Sequence, residues 1–246
     1  MEKNWDASEP WYTSCVGEKG HYYHQAVVLP NALRLLGQYA SLLDLGCGQG
    51  VLARYLSANI EYVGVDLSKE LIAAAKKMTP QAHFLVADAT RELPLEKKDF
   101  DRVCMILSLQ NMEEGKCAIQ TATRHLKKGG KLLLVVNHPC FRIPRQSSWE
   151  VDEKMKLQYR RINTYMSSQE IPIQTHPGKK EHSQETFSYH NPLFVYSSWL
   201  RDEHLCIDVM EEWCSDKKSE GTKAKMEDRA RREIPLFLAI VAVKKS

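Results

Sequence analysis

Apolar and polar positions along the 246-residue chain switch between two periods. Short apolar runs end in acidic or glycine-rich turns, and stretches with helical spacing follow them. The runs predict strands at 41–45, 61–65, 82–87, 101–107 and 131–136, with helices between them near positions 50, 70 and 115. A helical segment precedes them over Pro30 to Gly37, where the glycine marks its stop. Strands alternating with helices imply an α/β fold with a parallel sheet covered on both faces, whose ligands bind at the carboxyl edge of the strands. After Asn137 the alternation stops for about fifty residues, a length that marks a lid or binding element. A helix is then predicted over Asn191 to His204, a strand over Leu205 to Trp213 and a last strand over Pro235 to Val243, with Ser215 to Gly221 as a solvated loop.

Within this pattern the run Leu42-Leu43-Asp44-Leu45-Gly46-Cys47-Gly48-Gln49-Gly50 carries the most chemistry. Three glycines at alternate positions let the backbone turn sharply and approach a ligand where a side chain would collide. A helix expected over Val51 to Ser57 would point its amide-rich start at the same place. The dinucleotide pattern G-x-G-x-x-G fails here, because position 51 is Val. Asp44, just before the turn, would repel a pyrophosphate and attract an amino group, which favours a cationic ligand such as the methionine part of S-adenosylmethionine.

Asp44 to Gly50, D-L-G-C-G-Q-G, resembles the first motif of class I S-adenosylmethionine-dependent methyltransferases. Further segments stand in the order that family requires. Glu61 to Ser68 reads as a second strand ending in Asp66, with Leu67 beside it; a carboxylate there accepts hydrogen bonds from ribose hydroxyls. Phe84 to Thr90 resembles the third motif, in which Asp88 and the Ala89 amide would read the adenine. Phe100 to Asn111 resembles the fourth strand and the loop flanking the methyl group, bringing Leu107, Ser108 and Gln110 to the cofactor. Leu126 to Leu134 matches the turn into the fifth strand. Asp66 and Ser68 also precede the helical run Lys69 to Met78, so either reads equally as a helix N-cap.

The resemblance implies a doubly wound seven-stranded sheet, mostly parallel with an antiparallel last strand. It gives one domain: a helical leader at 1–40, a cofactor-binding core at 41–137, a substrate-lid insertion at 138–190 and a C-terminal helix and strand pair at 191–246. It also implies S-adenosylmethionine as cofactor, bound by Asp44, Gly46, Cys47, Gly48, Gly50, Asp66, Leu67, Asp88, Ala89, Leu107, Ser108 and Gln110. In similar enzymes an aromatic-rich leader folds over the cofactor, which makes Tyr12, Tyr22 and His24 candidates; the alternative is an amphipathic helix whose aromatics bury against the sheet.

Methyl transfer needs alignment and exclusion of water more than a protein nucleophile. A hydroxyl or protonated nitrogen acceptor also needs a base, and histidine titrates near working pH. His138, at the exit of the fifth strand, is expected to face the methyl group, with His190 as the second candidate base. Ser108-Leu109-Gln110-Asn111 lacks the N/D-P-P-Y/F loop of amino-directed nucleic-acid methyltransferases, so a small molecule is expected and no nucleic acid. Trp149, Tyr159, Tyr165 and Trp199 either line a pocket for an aromatic or otherwise flat acceptor or form the core of the lid.

Composition adds little. Net charge is +3, with basic residues scattered among acids. No run approaches the ~20 apolar residues of a membrane span and no apolar signal region opens the chain, so a cytoplasmic monomer or homodimer is expected. Seven cysteines without a Cys-x-x-Cys pair suit a reducing compartment, and His176, His182 and His190 lack metal-ligand spacing. Two other functions stay open: a cofactor-binding regulatory subunit without turnover, and methylation of a protein or RNA. An NAD-type oxidoreductase is disfavoured by Val51.

Overall fold

The computed structural model describes residues 21–174 and 185–245. Five parallel strands form its centre: β1 (Ser41–Leu45), β2 (Glu61–Asp66), β3 (His83–Val86), β4 (Phe100–Ile106) and β5 (Leu126–Asn137). Two late strands, β10 (Leu205–Trp213) and β11 (Phe237–Lys244), complete a seven-stranded sheet of order β10-β11-β5-β4-β1-β2-β3. β11 runs antiparallel to both of its neighbours, as the resemblance implied.

Every residue of β1 is buried, which is what a strand covered on both faces requires. Alternation sends Leu43 and Leu45 into one apolar cluster with α3 (Gly115–His125) and α4 (Leu193–Asp202), and Leu42 into a second with α1 (Leu29–Leu36) and α2 (Lys69–Met78). Each of these fully buried leucines stabilises the fold by about 1.5–3 kcal/mol. Helix α2 starts at Ser68, whose hydroxyl accepts the Leu71 amide at 3.1 Å, a cap contributing about 1 kcal/mol. Ser68 is therefore the cap, and Asp66 stands at the strand end.

Two expected elements differ. The helix expected over 51–57 is a single 3₁₀ turn, Leu52–Tyr55, closed by Arg54 N to Val51 O and Leu56 N to Ala53 O bonds. Only the stretch between Gly50 and β2 is available for this crossover, too little for a helix and two turns. β5 begins five residues earlier than its apolar pattern, and an irregular register between Phe100 and Arg102 accommodates Gly129, at φ +71°. The insertion after β5 holds two antiparallel hairpins, β6 (Ser147–Asp152) with β7 (Leu157–Ile162) and β8 (Gln169–Gln174) with β9 (Glu185–His190). A further helix, α5 (Ala224–Glu233), lies between β10 and β11. No helix among the described residues is long and apolar enough to cross a membrane.

Candidate active site

A cavity of about 420 Å³ opens at the carboxyl ends of β1 to β4. Its floor is the glycine turn. Gly46 and Cys47 donate their amides to Val65 O at 2.7 and 3.0 Å, which ties the turn to the end of β2. Gly46 takes φ +74°, and a Cβ there would stand 2.4 Å from the Ser108 Cβ. Glycine is needed at that point on both counts. Ser108 in turn donates to Leu45 O at 2.8 Å, and Leu107 is held at φ +56° by its amide bond to Val135 O.

Asp66 accepts the Gly48 amide at 2.8 Å and the Ser68 amide at 3.0 Å, one on each oxygen, so its carboxylate is locked at the cavity wall. Asp88 accepts both the Thr90 amide (2.8 Å) and hydroxyl (2.6 Å) and faces Arg91 Nε at 3.3 Å. Leu67, half exposed, and Ala89 line the apolar side between them. Of the expected cofactor residues, Gly46, Gly48, Asp66, Leu67, Asp88, Ala89, Leu107, Ser108 and His24 all line this one cavity.

His24 reaches it through a π-helical turn, His24–Val28, closed by the Leu29 amide on His24 O. Such turns rotate a side chain out of helical register and recur at functional sites. Its Nδ1 is buried without a hydrogen-bond partner, and burial, with His21 adding to it, depresses its pKa to about 4. The ring is neutral at pH 7.

Five expected cofactor residues are placed elsewhere, and Tyr12 lies outside the described residues. Asp44 turns into the core on Leu42's side of the sheet, accepting the Tyr62 hydroxyl at 2.8 Å and the Cys104 thiol at 3.4 Å. Burial raises its pKa to about 6 although both donors oppose the rise. Cys47 is buried with its thiol on Gly48 O, and burial pushes that thiol well up. Gly50 serves packing, since a Cβ there would stand 2.7 Å from Phe84. Gln110 turns back to Leu107 O and leaves its Oε1 buried without a partner. Tyr22 is exposed and donates to Asp216 at 2.9 Å, with Lys217 over its ring.

Neither expected base lines the cavity. The His138 Nδ1 accepts the Cys140 amide at 3.1 Å, which puts its proton on Nε2, where it donates to Glu212 at 2.6 Å. Both ring nitrogens are thereby committed, and burial lowers its pKa against the opposing pull of Glu212. His190 donates Nε2–H to Tyr165 O at 2.8 Å, and burial lowers its pKa as well. Trp149, Tyr159, Tyr165 and Trp199 are also away from the cavity; Trp149 lies under Arg160, and Trp199 packs on Tyr196.

Other residues complete the walls. Phe187 and Tyr189 of β9 also line the cavity. Met112, Glu113 and Glu114 extend the loop after β4 past Asn111, where the resemblance to the fourth motif ends. Asp66, Asp88, Glu113 and Glu114 outnumber Arg91 among the lining charges, so the cavity favours a cation. The residues fit S-adenosylmethionine: a turn that tolerates no Cβ, acids at the ends of β2 and β3, and negative lining for a sulfonium. No cluster of metal-ligating side chains occurs among the described residues.

Residues 43–134 match the family model described as methyltransferase domain. A demethylmenaquinone methyltransferase from Renibacterium salmoninarum is 33% identical over 102 residues, covering 41% of this chain and 43% of that protein. A malonyl-[acyl-carrier protein] O-methyltransferase from Enterobacter lignolyticus is 34% identical over 96 residues, covering 39% and 38%. The match thus spans less than half the length of these curated relatives. An S-adenosylmethionine-dependent methyltransferase structure from Mesorhizobium loti shares the fold over 89% of this chain and 98% of its own, with a TM-score of 0.68 and 23% identity. The chain thus carries a methyltransferase domain at 43–134 within the fold that the S-adenosylmethionine-dependent methyltransferase structure from Mesorhizobium loti also adopts.

Proposed function

We propose that the protein transfers a methyl group from S-adenosylmethionine to a small-molecule acceptor with a flat, apolar body. The observation carrying this reading is the single cavity that gathers the glycine turn, both strand-end acids and the Phe187–Tyr189 wall. Its volume falls within the ~300–1,000 Å³ of small-ligand sites. When bound, S-adenosylmethionine supplies an electrophilic methyl group on a cationic sulfur. Asp66 and Asp88 hold the nucleoside end, and the Gly46–Gly48 backbone and Ser108 position the methionine end. Phe187, Tyr189, Ile106 and Met112 exclude water and orient the acceptor, where alignment supplies most of the rate gain. The neutral His24 imidazole, with an unpartnered nitrogen at the cavity, is the protein group suited to hydrogen-bond ligand there. The names of the curated relatives, a demethylmenaquinone and a malonyl-[acyl-carrier protein] methyltransferase, support a metabolite acceptor.

Thermal unfolding with S-adenosylmethionine, S-adenosylhomocysteine and NAD tests this, alongside Asp66→Ala and Asp66→Asn variants checked for native circular dichroism. Ligand at ~100 times its dissociation constant adds about 2.7 kcal/mol, which raises the midpoint by roughly 5–10 °C for a domain of this size. A rise with the two adenosyl compounds alone, lost in the variants, supports the reading; an equal rise with NAD, or none, overturns it. Methyl transfer into metabolite extracts faster than into RNA or protein fractions is the expected result for the acceptor class.

A further inference from the structure

Arg142 follows β5 in the turn that leaves the sheet, its amide bonded to His138 O. Its side chain is half-buried, it has no carboxylate partner among the described residues, and its Nη1 is fully buried without any hydrogen bond. The guanidinium stacks 5.1 Å over the Phe237 ring. The other groups facing it are Tyr23 and His21 from the leader and Arg160 from β7, so the surroundings are neutral or positive. Glu211, Glu212 and Asp216 have partners of their own: Glu212 is held by His138, Asp216 by Tyr22, and Glu211 by Arg34 and Trp213. Arg160 is itself satisfied by Phe141 O and Ser147. Burial of a charge without a partner is among the most destabilising arrangements a fold can hold, and one that a bound anion would relieve.

Position gives the anion its origin. Along the sheet edge the cofactor residues run from Asp88 after β3, through Asp66 at β2 and Gly46 after β1, to Ser108 after β4. Arg142 follows β5, the next strand in the same row, and is not itself among the residues that line the cavity. Tyr23, 5.9 Å from Phe237, connects it to the cavity wall through the adjoining His24.

We infer that Arg142 is the anion-recognition residue of the acceptor subsite, so that the methylated small molecule carries a carboxylate or a phosphate. This rests on the methyltransferase reading above. A planar guanidinium suits either oxyanion by paired hydrogen bonds, and its stacking on Phe237 leaves that fork pre-set.

The full-length protein is first titrated with S-adenosylhomocysteine by calorimetry and then, saturated with it, with benzoate, phenyl phosphate or neutral benzyl alcohol. Wild type is expected to bind one of the two anions saturably and the alcohol far more weakly, the stronger arm naming carboxylate or phosphate. Arg142→Met is expected to lose that anion affinity about 10- to 100-fold, with S-adenosylhomocysteine affinity unchanged, and Arg142→Lys to keep part of it. Arg142→Met is also expected to unfold at or above the wild-type midpoint, because an apolar chain replaces an uncompensated charge. The inference is overturned by equal anion affinity in wild type and Arg142→Met, by absence of anion binding to the saturated wild type, or by a midpoint several degrees lower in the variant. Weaker S-adenosylhomocysteine binding in Arg142→Met overturns it too, since the anion would then be the cofactor's own carboxylate. Wild type that does not bind S-adenosylhomocysteine at all fails at the first titration and removes the methyltransferase reading with it.

Discussion

Replacing Asp44 by Asn tests whether a buried carboxyl beneath the glycine turn destabilises the fold at neutral pH. In the folded protein its pKa is about 6, against 3.8 for the free side chain. Between those values the folded state keeps the proton and the unfolded chain releases it, so stability falls as pH rises through the window and the loss is complete above about 6. The displacement corresponds to roughly 3 kcal/mol. Asn removes the ionisation and forfeits one hydrogen bond, the thiol of Cys104 being the weaker donor, at about 1 kcal/mol. Asp44→Asn is therefore expected to be about 1 kcal/mol less stable than wild type near pH 4 and about 2 kcal/mol more stable near pH 7.5. Urea unfolding followed by tryptophan fluorescence at the two pH values measures this, and every titration shared by both proteins cancels in the difference. Parallel stabilities at both pH values would refute the reasoning, because the Tyr62 and Cys104 donors would then outweigh burial. A gain by wild type as pH rises would refute it more strongly. The carboxylate's negative charge lies beneath a site for a cationic ligand, so wild type should also bind S-adenosylmethionine more weakly as pH falls through about 6, while Asp44→Asn should not show that dependence.

His24, with a folded pKa of about 4 against 6.5, acts in the opposite direction: its contribution is complete above 6.5 and about 3 kcal/mol is lost as pH falls to about 4. His24→Phe should flatten that fall in pH-dependent melts. Gly46→Ala, with its clash against Ser108 and positive φ, should lose about 1–3 kcal/mol and the thermal response to S-adenosylhomocysteine. Gly37→Ala is the control, since φ is +65° but nothing lies within 4 Å of the new Cβ; it should lose about 1 kcal/mol and keep the response. His138→Gln should unfold at a lower midpoint yet retain the wild-type pH profile of kcat, because the imidazole is occupied by Glu212 and Cys140. A lost basic limb in that profile would restore His138 to catalysis.

The glycine turn and the acids at the ends of β2 and β3 were legible because backbone requirements and strand ends leave local marks in sequence: positive φ, alternation, a cap. Side-chain direction leaves fewer. In β1 every residue is buried, so no hydrophobic alternation tells which face Asp44 takes, and only its neighbours Tyr62 and Cys104, far apart in the chain, settle that it points into the core. His138 likewise sits at the expected strand exit but turns toward Glu212 of β10, an element 74 residues away. The crossover after Gly50 reads as helical from its spacing and its place after the glycine turn, yet the structure forms one 3₁₀ turn there. The hairpins of the insertion depend on pairings such as Trp149 with Arg160, which a polar stretch does not announce.

The divide falls between the two halves of the site. The matched segment, 43–134, holds the glycine turn and the acids after β2 and β3, whereas His24, Phe187 and Tyr189 of the same cavity, and Arg142 beyond it, all lie outside that segment. The cofactor half is built from consecutive strand ends of one parallel sheet, so its geometry follows from a repeated local pattern. The acceptor half proposed above draws on a π-helical turn in the leader, the exit of β5 and the far strand of an inserted hairpin, three elements with no common period. Changes in any of them alter the acceptor pocket without disturbing the sheet that holds the cofactor. On the proposed reading acceptor choice is set by those three elements, and variants there should change KM for the acceptor more than affinity for S-adenosylmethionine.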